Sequence, residues 1–112
     1  MPKVFEPHEM PTDKGQGWEV TTLADAASIG APVMVARRWI FQPGARGPEA
    51  THGQVDQLLY VIRGSGTAVV DGKRMSLDEE SVLWLEPGET YHFEAGEAGL
   101  EVLQGYAPGE GM

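Results

Sequence analysis

Leu58-Leu59-Tyr60-Val61-Ile62-Arg63-Gly64-Ser65-Gly66-Thr67-Ala68-Val69-Val70-Asp71-Gly72-Lys73-Arg74-Met75-Ser76-Leu77 is the stretch that decides the fold. Its first five residues form an unbroken apolar run, the pattern of a strand covered on both faces. Gly64-Ser65-Gly66 predicts a turn, and Thr67 to Val70 a second strand. Asp71-Gly72 is a strong two-residue hairpin signal, because a type I′ turn needs positive φ at both central positions. Lys73 to Leu77 then returns alongside.

The same rhythm extends in both directions. Val33 to Phe41 is apolar and β-branched enough for a long strand, ended by Pro43-Gly44. Val82 to Leu85 reads as a strand ended by Pro87-Gly88, and Tyr91 to Ala95 and Leu100 to Tyr106 complete the set. Fifteen glycines and eight prolines punctuate the chain, so helical periodicity is scarce. The best helix candidate is Thr22 to Ile29, about two turns long before Gly30 and Pro32 intervene. About eight short strands at this spacing predict an all-β sandwich or barrel. A closed barrel of about eight strands leaves an interior able to hold one small ligand.

A chain of 112 residues leaves room for one domain. Residues 1–32 read as a polar, turn-rich arm and a first strand, packed on the barrel or exchanged with a partner. Residues 33–112 read as the barrel itself. There is no cysteine, which excludes disulfides, thiolate metal sites and cysteine nucleophiles. The start, Met1 to Phe5, lacks the apolar core of a signal peptide, and no apolar stretch approaches the ~18 residues of a membrane span. A cytoplasmic location is expected. The net charge of −9 lies wholly in the last third, where nine acids from Asp78 to Glu110 face no Lys or Arg. Such a surface repels phosphate backbones and anionic lipid, so neither nucleic acid nor membrane is an expected partner.

Two segments carry a family resemblance. The first is Gly44-Ala45-Arg46-Gly47-Pro48-Glu49-Ala50-Thr51-His52-Gly53-Gln54-Val55-Asp56-Gln57, running on to Gly64. The second is Trp84-Leu85-Glu86-Pro87-Gly88-Glu89-Thr90-Tyr91-His92-Phe93. Together they resemble the two motifs of the cupin family, over roughly residues 33 to 107. The resemblance implies a cupin-type antiparallel jelly-roll β-barrel, frequently dimeric. Registered on Gly44 and Gly64, the family's first histidine position falls on Ala50, its second on His52 and its glutamate on Gln57. In the second motif the spacing from Pro87 to His92 is kept, while Gly88 sits one place early.

The resemblance thus implies a metal site of His52, Gln57 and His92, holding one divalent transition metal (Fe, Mn, Ni, Cu or Zn) or none. Imidazole and carboxylate donors suit these ions. Gln57 offers only a neutral carbonyl oxygen, although some cupin-fold sugar-phosphate isomerases are similar in using glutamine. Gln54 or Glu49 would reach the gap at Ala50, and Asp56 stands beside Gln57. If Gln57 points inward, Leu59 and Val61 do so too. The pocket is then lined by Ala50, Gln54, Asp56, Leu59, Val61 and Glu94. Leu58, Tyr60 and Ile62 face outward, where an uncovered apolar row would be adhesive, so a homodimer is expected. By the same alternation His92 and Glu94 share one face, and Tyr91 and Phe93 the other.

Two functional readings stand side by side. In the first, His52 and His92 ligate a metal, Gln57 completes the shell, and the chain is an oxygenase, isomerase or lyase acting on a small organic molecule. In the second, the same pocket binds a small molecule without metal, as a sensor or carrier. A vestigial pocket in a dimeric accessory protein is a third option. Arg37 and Arg38 are adjacent in a strand, so an inward one would favour a carboxylate ligand, while a surface pair is the plainer expectation. Trp39 and Trp84 are read first as core aromatics. His8 falls outside the site.

Overall fold

Runs rich in Val, Ile, Thr and aromatic residues, interrupted by glycine and proline, fold into strands because branched side chains pack well on a pleated surface. The computed structural model describes residues 10–24, 34–51, 53 and 55–107. Among them eight strands occur: β1 (Thr12–Gly15), β2 (Trp18–Ala24), β3 (Val35–Phe41), β4 (Ala50–Thr51), β5 (Gln57–Val70), β6 (Lys73–Leu77), β7 (Val82–Leu85) and β8 (Thr90–Tyr106). Every pairing is antiparallel. The sheet runs β1-β2-β3-β8-β5-β6, with β4 added on β8 and β7 on β5. No helix among the described residues is long and apolar enough to cross a membrane.

Two long strands organise the roll. The first half of β5 pairs with the end of β8 (Leu59 opposite Gln104, Val61 opposite Val102). Its second half pairs with the start of β8 (Ala68 opposite Phe93, Val70 opposite Tyr91). Gly64-Ser65-Gly66 does not reverse the chain as expected from the sequence. It bends a continuous strand, with register shifts at Val61/Arg63 and Gly64/Gly66. The reason is steric: Gly64 has φ +87° and lies so close to β8 that a Cβ would sit 2.2 Å from the Gly99 carbonyl oxygen. Likewise Tyr91–Ala95 and Leu100–Tyr106 are not separate strands but one, bent in step with β5. Asp71 and Gly72 both take positive φ, as the hairpin signal requires.

Thr22 to Ala24, read as the start of a helix, instead ends β2. Pairing of Val20 with Trp39 and Thr22 with Arg37 overrides a weak local preference. Thr12–Gly15, expected in an arm packed on the barrel or exchanged with a partner, forms the edge strand β1 against β2. Residues 25–29 of that helix candidate, and residues 1–9 and 25–32 of the arm, lie outside the described residues.

The bend folds the two halves over one core of Phe41, Leu59, Val61, Ala68, Val70, Leu77, Leu83, Leu85, Tyr91, Phe93, Leu100 and Val102. An aromatic ladder crosses it, Trp18–Trp39–Phe41–Phe93–Tyr91, with neighbouring ring centroids 5.6 to 5.8 Å apart. Trp39 is therefore the core aromatic expected. Trp84 is not: it is 60% exposed on the outer face, opposite Leu58.

Candidate functional site

Strand alternation sends Gln57, Leu59 and Val61 of β5 inward, and all three are buried. On β8 the inward residues include Val102 and Gln104 at one end and Tyr91 and Phe93 at the other. On β3 they include Trp39 and Phe41. The bend brings the polar members of these sets together. Trp39 Nε1 donates to Gln104 Oε1 at 2.8 Å. Gln104 Nε2 donates to Gln57 Oε1 and, at 3.0 Å, to the Tyr91 hydroxyl oxygen. Gln57 and Gln104 are each 2% exposed. Among the described residues, Gln57 Nε2 is buried without a hydrogen-bond partner.

The direction of this chain is fixed by chemistry. An indole N–H can only donate. Gln104 must therefore turn its carbonyl to Trp39 and its amino group to Gln57 and Tyr91. Gln57 must turn its carbonyl to Gln104, which leaves its own amino group buried and unpaired. A buried N–H left unpaired costs ~1–3 kcal/mol.

His92, expected in the interior, lies on the opposite face of β8 from Tyr91. Its Nε2 is 2.9 Å from Glu94 Oε2, and Glu94 Oε1 accepts from Arg74 Nη2 at 2.7 Å. The Arg74 hydrogen bond first, and the His92 bond second, hold the Glu94 carboxyl down at about 2. An ionised carboxylate only accepts, so His92 Nε2 carries the proton. His92 is nevertheless buried, at 6% exposure. The early glycine explains the register. Pro87-Gly88 forms the turn, Gly88 with φ +83°, and β8 enters its pairings with Thr90 opposite Thr51 and Tyr91 opposite Ala50. Tyr91 therefore takes the inward place assigned from the sequence to His92.

Of the expected pocket residues, Leu59, Val61 and the half-buried Ala50 lie on the inner face, Ala50 packed against the core. Asp56 is exposed just before β5, and Glu94 is on the outer face with Arg74. His52 and Gln54 lie outside the described residues. Arg37 lies opposite Gln104 in the strand register and shares the inner face with Trp39 and Phe41. Arg38 faces outward, 3.9 Å from Glu101, which also binds Arg63 at 2.9 Å.

The metal implied by the resemblance does not fit these side chains. Gln57 directs a donor rather than a lone pair at the interior, its carbonyl being engaged by Gln104, and His92 is on the other face. Among the described residues no three His, Asp or Glu side chains converge as a metal site. Tyr91 and Gln104 were missed from the sequence, and Trp39 was read as a core aromatic without its bond to Gln104. The three-residue step from Gly88 to Tyr91, and the apolar Tyr91-x-Phe93 alternation, were the available signals.

A bent antiparallel sheet rolled over an aromatic core is consistent with a jelly roll, although the sheet is not closed and runs from edge strand β1 to β6. A family model for the cupin domain matches residues 37–104, and the chain belongs to the cupin family. Its fold is similar to KdgF from Halomonas sp., with TM-score 0.74, 19% identity, and 98% of this chain and 97% of that one covered. It is similar to an RmlC-like cupin from Shewanella frigidimarina, with TM-score 0.76, 19% identity, and 99% and 95% covered. It is also similar to a variant oxalate decarboxylase of Bacillus subtilis, with TM-score 0.80 and 16% identity over 96% of this chain and 30% of that one. At such identities the likeness is one of fold. Among curated proteins none matches the chain.

Proposed function

We propose that this chain is a binding module for a small organic molecule, held inside the barrel by hydrogen bonds from the Gln57–Gln104–Tyr91–Trp39 cluster. The observation that carries the reading is the buried, unpartnered amino group of Gln57. Native interiors rarely leave such a donor unsatisfied, and a ligand acceptor would remove its cost. A cytoplasmic setting suits the cysteine-free, acidic chain. As a second part of the reading, the outer face of β5, β7 and β8 pairs with a second copy. Trp84, Val82, Leu58, Leu103 and Tyr60 are all exposed there, side by side in the strand register.

The metal-centred enzyme would instead draw on His52, His92 and Gln57. Supporting it, several solved structures of similar fold are named as enzymes, an oxalate decarboxylase and a salicylate 1,2-dioxygenase among them. The orientation of Gln57 favours the binding module.

Thermal-shift screening of a metabolite panel separates the two. The binding reading expects small molecules to raise the melting temperature with chelator present, since a ligand for the native state stabilises it. No shift from any compound sinks it. Stoichiometric metal, lost in His52→Ala/His92→Ala, would establish the enzyme reading in its place.

A further inference from the structure

Three features of the inner face point to the chemical class of the ligand. The first is the fixed polarity of the amide chain. Because the Trp39 indole can only donate, both glutamines are oriented, and the group left over is the Gln57 amino group, a donor with no acceptor capacity. The second is charge. Arg37 sits directly opposite Gln104 on adjacent strands, on the same inner face as Trp39. Facing pairs have Cβ atoms only ~4.5–5.5 Å apart, so the Arg37 side chain starts from the same face beside Gln104. The third is the lack of a counter-charge. No Asp or Glu is paired in the strand register with Gln57, Gln104, Arg37 or Trp39: Asp13 shares their face but is exposed on the edge strand β1, opposite Val20, Glu94 and Glu101 lie on the other face, with Arg74 and with Arg63, and Asp56 is exposed before β5. A cationic ligand would find no partner there.

We infer that the interior of this barrel takes a small organic carboxylate, with Arg37 supplying the charge and Gln57 an N–H to a carboxylate oxygen. Trp39 is a positioning residue: acting through Gln104, it makes Gln57 present a donor rather than a carbonyl. The inference rests on the ligand-binding reading above and deepens it. Guanidinium and amide donors on one face suit a planar carboxylate, whereas a neutral amide offers the guanidinium only an uncharged carbonyl and gains less.

The test is ¹H–¹⁵N NMR of the full chain titrated with glutarate and benzoate, and in parallel with glutaramide and benzamide. The Gln57 side-chain NH₂ pair is identified by its loss in Gln57→Glu. The expected result is that a carboxylate moves this pair and binds at least tenfold more tightly than its amide. Arg37→Gln and Arg37→Lys should each weaken carboxylate binding, Gln more than Lys and by tenfold or more. Gln57→Glu, which turns the interior donor into an anionic acceptor, should abolish it. Trp39→Phe should weaken it while leaving the fold intact by circular dichroism. Equal binding of amide and carboxylate would overturn the carboxylate assignment, and so would binding that leaves the Gln57 pair unmoved; both would leave the ligand-binding reading standing. If none of the four compounds binds while other metabolites do, the assignment of class is likewise overturned. If nothing in a broad panel binds, the underlying reading falls with it.

Discussion

Trp39 and Gln104 lie 65 residues apart, and the indole N–H of the first donates at 2.8 Å to the side-chain carbonyl of the second. That single bond orients every other group in the buried polar cluster. Truncating Gln104 to leucine strands the Trp39 donor and the Gln57 carbonyl at once, so a loss of about 3 kcal/mol is expected. The melting temperature should fall by roughly 10 °C. Gln57→Leu/Gln104→Leu should cost clearly less than the sum of the two single changes, because the second removes a group the first left unpaired. Denaturant unfolding of the three variants measures this. Strict additivity would show that the amides do not act as a unit.

Gly64 permits the bend that folds one half of the sheet over the other. Alanine there combines a positive φ with a Cβ 2.2 Å from the Gly99 carbonyl oxygen. A left-handed non-glycine residue alone costs ~1–2 kcal/mol, and the backbone clash adds to it. Gly64→Ala should thus destabilise by more than about 2 kcal/mol. Gly72→Ala, at φ +84° with nothing within 4 Å, should cost only the conformational part. Equal effects in chemical denaturation would refute the close approach of β5 and β8.

The Glu94 carboxyl is held at about 2 by its bonds to Arg74 and His92, against an ordinary value of 4.5. A depressed folded-state value means stability that is fully present above pH 4.5 and drains away as pH falls toward 2. Arg74→Gln should raise the Glu94 titration midpoint toward 4.5, read by ¹³C NMR of the carboxyl carbon. The stability difference between wild type and variant should shrink below pH 4.5 and also in high salt, because the pair is partly exposed. A midpoint unchanged in the variant would remove Arg74 as the main cause.

The outer face carries Trp84 and Val82, each 60% exposed, with Leu58 at 42% beside them. A row of this kind is sticky in water. The wild-type chain should sediment as a dimer, and Trp84→Glu as a monomer with an unchanged circular dichroism spectrum. A wild-type monomer at high micromolar concentration would end the proposal of a paired face.

Much of the architecture was legible because its signals are local. Asp71-Gly72 specifies a hairpin through the φ angles of two residues, and Pro43-Gly44 and Pro87-Gly88 stop strands where they stand. The inward set Gln57, Leu59 and Val61 follows from alternation, which needs one anchored residue and nothing else. At Tyr91 and His92 the same rule left two opposite answers, and a motif count from Pro87 chose the wrong one. A one-residue difference in register turns a whole strand over. The step from Gly88 to Tyr91 pointed the other way, and the pairing of Tyr91 with Ala50 and Val70 settles it.

From its order of residues alone, then, this chain determines a set of antiparallel strands, where most of them end, and its membership of an all-β class. Tertiary structure decided that β5 bends instead of turning, that Tyr91 rather than His92 faces inward, and that Gln57 offers a donor. The physical reason is range. Turn and strand propensities act between neighbours in sequence, whereas the free end of the Gln57 amide is dictated by an indole on another strand.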